Sequence, residues 1–275
     1  NIGGIAGYMD GDNVYITGSG NRGTVHTDEP ANPANVEEWQ KAANVGGIVG
    51  KIDRSNTKKL NTNNNIVDAN GNLAQAAVSD SYNTGDVLGY TGIGGIAGLM
   101  YNGEIASSYN LGYLRSTRQS HVGQATGNLD VEVVDALNMG GIVGDTTEES
   151  NAKALLYDVY NKGQIGDKEF NYFGRHVGGV VGRLSGTVEK AYNTGAIYNG
   201  YNVVGGIAGW VAAGTIQNAF NTGNITVYNQ NESTSQVGGI AGAANGGGNV
   251  LINNVYNLGT LRSFDIGYGK NAVAG

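Results

Sequence analysis

The chain contains no cysteine and only 2 prolines in 275 residues. Without thiols, neither disulfides nor thiolate metal sites can hold the fold together. The scarcity of proline excludes collagen and proline-rich linkers. Charge is sparse as well: 14% of residues are Asp, Glu, Lys or Arg, and 23 acids against 16 bases leave a net charge of -7. Nucleic-acid binding needs clustered bases facing phosphate. Only Lys58-Lys59 and the spaced Arg115 and Arg118 come near that, and they read as solvated loop charges. No apolar run approaches the ~18 residues of a membrane-spanning helix, so direct membrane insertion is not expected. No signal peptide is visible, and Asn1 falls inside a repeat, so the chain reads as a segment of a larger protein.

What is abundant is glycine, 48 residues, within a chain that is 40% hydrophobic. Many Gly with few Pro implies many turns between short strands. Self-similarity, the first thing to search for, takes the form of a pentapeptide Gly-Gly-Ile/Val-Ala/Val-Gly. It begins at Gly3, Gly46, Gly94, Gly140, Gly178, Gly205 and Gly238, with gaps of 43, 48, 46, 38, 27 and 33 residues. A second motif, aromatic-Asn-x-Gly, follows each later pentapeptide. Its aromatic residues are Tyr82, Tyr109, Tyr160, Tyr192, Phe220 and Tyr256, and its Asn residues are Asn83, Asn110, Asn161, Asn193, Asn221 and Asn257. A degenerate first copy, Gly20-Asn21-Arg22-Gly23, completes the set.

Alignment on the Asn exposes three apolar columns. One lies four places before the aromatic position: Ile16, Val78, Ile105, Leu156, Val188, Ile216 and Ile252. One lies two places after the closing Gly: Val25, Val87, Leu114, Ile165, Ile197, Ile225 and Leu261. The third is the branched residue of the pentapeptide: Ile5, Ile48, Ile96, Ile142, Val180, Ile207 and Ile240. Segments this short and β-branched favour strands over helices. The tightest repeats are too short for a propeller blade of roughly 40 residues. The expectation is an all-β fold, a right-handed parallel β-helix (β-solenoid) of about seven coils with three short strands each, forming a single segment over residues 1–275. Each coil buries its apolar side only by stacking on the next. In that stack the Asn amides hydrogen-bond from coil to coil and the rings lie in a column. Asn-x-Gly is expected to turn the corner between sheets, since both residues tolerate left-handed backbone angles.

Departures from the minimal repeat read as projecting insertions at 25–44, 53–77, 115–137 and 145–155. In the first, Asn35 to Ala43 has the Asn cap, early acids and late Lys of a short helix. It carries Trp39, a candidate ligand contact whose plainer role is to pin that helix to the rod. Trp210 is expected to pack along a sheet edge or face, and Phe170, Tyr172 and Phe173 to pack within a loop.

Chemistry is harder to find. His26, His121 and His176 sit in different repeats with no shared motif and read as exposed loop histidines. Asp10-Gly11-Asp12-Asn13 lacks the spacing of a calcium loop and reads as a turn. No nucleophile elbow, zincin motif or Walker loop occurs. Nor is there the repeat-registered cluster of acids and bases that glycan-cleaving β-helices need. No catalytic residue, metal site or cofactor is therefore expected, and the chain reads as a non-enzyme.

The recurrence of Gly-Gly-Ile-Ala/Val-Gly followed by Ala-Tyr-Asn-Thr-Gly-x-Ile resembles the GLUG repeat of bacterial surface and secreted proteins. The best copies are 178–197 and 205–225, and the resemblance runs from Ile2 to about Leu261. Such repeats occur in filamentous-haemagglutinin-like adhesins and in non-catalytic parts of bacterial immunoglobulin A peptidases. The resemblance implies an extracellular, cell-surface structural or adhesive segment joined to the remainder of the same long chain. Its insertion loops would meet a host or neighbouring-cell protein or glycan. The alternative is an accessory region of a secreted peptidase or glycan-active enzyme.

Overall fold

The structure, a computed structural model, describes residues 1–27, 44–54, 59–63, 65–68, 70–90, 92–117, 138–146, 153–167, 174–199, 203–229, 235–245, 248–265 and 271–274. Among these it is all-β, without a helix, and nearly every strand pairing is parallel. The exception is a small antiparallel pair, Lys59–Leu60 with Ile66–Val67, within the second insertion. The expected helix with Trp39 lies outside the described residues, as do His121, Arg118, Phe170, Tyr172 and Phe173.

Each repeat contributes strands to three sheets. The first sheet takes the strand that ends in the first Gly of each of the seven pentapeptides, and an eighth that ends in Ala274. Its eight members run in chain order from Ile2–Gly3 through Val45–Gly46, Gly92–Gly94, Asn138–Gly140, His176–Gly178, Val203–Gly205 and Ser235–Gly238 to Asn271–Ala274. Neighbours within that sheet are therefore one whole repeat apart in sequence. The second sheet takes the strands after the pentapeptide and those leading to the Asn motif. The third follows the closing Gly. Val25–His26, Val87–Gly89 and Leu114–Ser116 form one half, and Ile197–Asn199, Ile225–Asn229 and Leu261–Asp265 the other. Single parallel bridges from Ile165 to Leu114 and Ile197 join the halves.

Three short strands per repeat do not describe the second sheet. In the two most compact repeats the chain runs without a break through Val181–Asn193 and Ala208–Asn221, strands of 13 and 14 residues. The insertion after Asp53 separates Val49–Asp53 from Val78–Ser79 in an earlier repeat. The uninserted repeat from Gly94 is still interrupted, at Asn102-Gly103 between Ala97–Tyr101 and Glu104–Asn110, where Asn102 takes φ 42°. The insertions also begin later than the pattern implies. Val25 and His26 pair with Val87 and Leu88, and Lys51 to Asp53 pair with Leu99 to Tyr101, so these residues belong to sheets.

Two apolar clusters fill the interior. One holds the branched pentapeptide column, with Ile48, Ile96, Ile142, Val180 and Ile207 all at 0% exposure, beside the column from Val78 to Ile216. The other joins Val45, Ile93, Met139, Val177 and Val204 of the first sheet to Val87, Leu114, Ile165, Ile197 and Ile225 of the third. β-Branched and Leu side chains supply this core because they fill a pleated, two-sided surface well. Along the chain, the Gly-Gly corner and the Asn motif each fall between residues of the two clusters.

Candidate functional site

The repeat motifs converge on one buried row. Asn21, Asn83, Asn110, Asn161, Asn193, Asn221 and Asn257 pair in register. From Asn21 to Asn221 they are 9% exposed or less. Each Nδ2 donates to the Oδ1 of the next Asn at 2.8 Å, although the partners are 62, 27, 51, 32, 28 and 36 residues apart. The second Nδ2 hydrogen goes to the carbonyl of the Gly two residues on, for example Asn161 to Gly163 at 2.8 Å. That Gly returns its own N–H to the Asn Oδ1 at 3.2 Å. An inner Asn such as Asn161 thus uses both donors and both acceptor sites, which is the full capacity of the side chain. Serine is too short and aspartate lacks the donors for this arrangement.

The glycines around this row are sites of close approach. A Cβ at Gly112 would run into the Gly85 carbonyl of the neighbouring repeat, and one at Gly163 into that of Gly112. The second Gly of the pentapeptide seats against the Asn row: a Cβ on Gly179 would meet Asn193 Cγ at 2.5 Å. Both motifs therefore meet at one contact, which accounts for their one-to-one alternation.

The chain does pass from the second sheet to the third at Asn-x-Gly, as between Asn193 and Ile197, but without a left-handed residue there. Positive φ occurs three residues before each Asn, at Gly18, Asp80, Ser107, Asp158, Lys190, Asn218 and Asn254, with φ of 61°, 50°, 45°, 55°, 52°, 52° and 52°. That exposed left-handed residue bends the strand within the second sheet, and the Asn-x-Gly glycines serve packing.

Beside the Asn row runs the aromatic column. Tyr82, Tyr109, Tyr160, Tyr192, Phe220 and Tyr256 stack with ring centroids 4.7–5.5 Å apart and planes within 13°. The ring faces are occupied by one another, so the column offers solvent its edges. Gly20 occupies the aromatic position in the first repeat, and a Cβ there would run into the Tyr82 ring. Arg22 closes that end, its guanidinium 5.9 Å from the Tyr82 ring centre with a hydrogen bond to the phenol at 2.9 Å.

Two polar clusters carry no repeat signature. His176 is 7% exposed rather than a surface loop residue. Its strand places it beside Asn138, whose Oδ1 lies 2.7 Å from His176 Nδ1. Asn138 Nδ2 donates to Asp145 at 2.6 Å. With that amide oriented, Asn138 Oδ1 is an acceptor and Nδ1 carries the imidazole hydrogen. Burial, followed by the charges of Arg175 and Arg183, lowers the His176 pKa from 6.5 to about 3, so the ring is neutral at physiological pH. Trp210 stands 5.2 Å from that ring and 4.3 Å from the Arg183 guanidinium, and its indole N–H is held by Asn245 Oδ1 at 2.7 Å. The second cluster is an ion pair with both side chains almost fully enclosed, Arg54 and Glu104 at 3.2 Å. Arg54 also donates to the Val14 carbonyl at 2.6 Å. Neither cluster is legible in one sequence, because each arises where different insertions and repeats happen to meet.

His26 is exposed, and Gly11 takes φ 94° in a turn after Asp10. Among the described residues no group of three His, Cys, Asp or Glu is placed to hold a metal ion, and no helix is long and apolar enough to cross a membrane. In comparison with known proteins, the chain matches no family model, no curated protein and no solved structure.

Proposed function

We propose that the chain is a right-handed β-solenoid of seven coils, of the GLUG-repeat kind, serving as a non-catalytic structural or adhesive segment of a bacterial surface or secreted protein. The observation that supports this most is the indifference of the Asn row to what lies between its members. The amide contact is 2.8 Å whether 27 or 62 residues intervene. A scaffold that keeps its register over such differences is suited to carrying loops of unlike sequence, and recognition then falls to the insertions. The right hand follows from the general preference of parallel crossovers. The partner is a host or neighbouring-cell protein or glycan, met outside the cell.

The test is a glycan and host-protein array probed with the intact chain and with versions shortened at 28–43, 55–76, 118–137 and 147–152. Binding lost with one insertion and kept with the others supports display. Binding that survives all four deletions, or no binding by the intact chain, contradicts it.

A further inference from the structure

On the outer side of the Gly-Gly corner, a side chain of the first sheet lies beside the one seven residues later on the second, as Asn138 bonds Asp145. The equivalent positions in the next two repeats hold His176 with Arg183, and Val203 with Trp210. The indole of Trp210 is pinned there: its N–H is held by Asn245, and the His176 ring and the Arg183 guanidinium pack against it. Trp210 remains half-buried, with Asn245 exposed beside it.

Arg183 is a cation without a counter-charge. Its register partners are Asp145 and Trp210, but Asp145 takes up the Asn138 amide, and among the described residues no carboxylate pairs with Arg183. Its Nε is enclosed without a hydrogen-bond partner. Arg175, exposed just before His176, likewise has no carboxylate partner among the described residues. Burial, followed by these two charges, keeps His176 neutral. In a chain of net charge -7, this face therefore presents two unpaired guanidinium groups.

A guanidinium over an indole keeps its N–H donors around its rim, in the planar fork that grips a carboxylate with two bonds. Because the indole is itself fixed, little freedom is lost when the fork is occupied. The Asn245 Oδ1 is taken by the indole, which leaves the amide hydrogens for hydroxyl or ring oxygens. We infer that Arg183, Trp210 and Asn245 form a binding site for a uronic-acid residue of an acidic polysaccharide. The carboxylate meets Arg183, the apolar face of the pyranose covers the exposed part of Trp210, and the sugar oxygens accept from Asn245. An acidic peptide supplies the carboxylate but neither the ring nor the hydroxyls. The site lies on the rod itself, apart from the insertions.

The chain has 2 tryptophans, so Trp39→Phe leaves Trp210 as the single indole, at the site. The experiment titrates that protein with a short oligogalacturonate, its neutral methyl ester and an oligoglutamate, and follows indole fluorescence. A saturable change with the oligogalacturonate is expected. Binding is expected to weaken by about tenfold or more with the methyl ester, with the oligoglutamate and in Arg183→Gln, and by less in Asn245→Ala. Circular dichroism checks the fold of each variant, and the methyl ester makes the charge comparison on the unaltered site. No saturable change, equal affinity for the methyl ester or the oligoglutamate, or undiminished binding by a folded Arg183→Gln would overturn the inference. Shortening the insertions leaves Arg183, Trp210 and Asn245 in place. Array binding that disappears with Arg183→Gln therefore belongs to this site, and display by the insertions is judged in the Arg183→Gln background.

Discussion

Asn110 donates through Nδ2 to Asn161 Oδ1 at 2.8 Å, across 51 residues of chain that include a whole insertion. The same bond joins Asn193 to Asn221 across 28 residues. Repeats of unequal length thus meet in a common register, and the buried amide row is what they share.

Truncating an inner member leaves several buried groups without partners. Asn161→Ala strands the Asn110 amide hydrogen, the Asn193 oxygen and the polar backbone of Gly163. Unsatisfied buried groups are costly, so the loss is expected to be about 3 kcal/mol. The same change at Asn257, in the half-buried last repeat, is expected to cost about 1 kcal/mol. Urea denaturation of the two variants measures the difference, and equal losses would remove the row from the list of stabilising contacts.

Glycine substitutions separate packing from backbone freedom. Gly112→Ala pushes a Cβ into a neighbouring backbone carbonyl, where nothing can give way, and is expected to destabilise by about 3 kcal/mol or more, by the mechanism of overpacking. Gly71 has φ 84° with open space around it, so Gly71→Ala is expected to cost only about 1 kcal/mol, from backbone strain. Thermal melting of the two variants gives the order directly.

How far the fold is legible in the sequence depends on whether a constraint admits one residue or several. The Asn row and its glycines are visible as motifs because no other side chain fills four hydrogen-bonding roles in that space, and no Cβ fits beside it. The parallel pairing follows from repeats that each bury the same columns. The left-handed bend is only faintly legible: Gly18, Asp80, Asp158, Asn218 and Asn254 are of types that accept it, but Ser107 and Lys190 adopt it too, so no one residue marks the position. A strain of order 1 kcal/mol is too small to dictate identity. The enclosure of His176 and of Arg54 with Glu104 is hidden, since each occurs once and depends on neighbours far away in sequence.

That tolerance at the bend makes a prediction of its own. Lys190 adopts φ 52° although its side chain has no local bond favouring that geometry, whereas Asn218 is among the residues that accept it readily. Lys190→Gly is expected to stabilise by up to about 1 kcal/mol, and Asn218→Gly to change stability little. A loss at Lys190 in chemical denaturation would show that its hydrogen bond to the Tyr157 phenol, at 2.8 Å, outweighs the strain.

His176 links stability to pH. Its pKa is lowered on folding from 6.5 to about 3, so between those values the unfolded chain holds a proton that the folded chain refuses. Its contribution is complete above 6.5 and is lost as pH falls toward 3, by up to about 1.4 kcal/mol per pH unit. Denaturation midpoints of the parent and of His176→Gln across pH 3 to 7 test this. The variant is expected to show the shallower slope, and parallel slopes would assign the acid sensitivity to the carboxylates.

The Arg54–Glu104 pair separates charge from packing. Glu104→Gln leaves a buried guanidinium without its counter-charge and is expected to cost about 3–5 kcal/mol. The double replacement Arg54→Met with Glu104→Leu is expected to lose less than the single change, because it buries no charge. Chemical denaturation of both proteins decides between the two.

The absence of cysteine allows the stacked register itself to be tested by cross-linking. Thr187 and Thr215 are register partners in neighbouring repeats, within the span of a disulfide. Asn253 pairs with Gln217, a further repeat away. With cysteines at 187 and 215, mild oxidation is expected to close an intramolecular disulfide nearly completely, and with cysteines at 187 and 253 to close none. Failure of the first pair to link, or equal linking of both, would contradict the in-register stack on which every other statement rests.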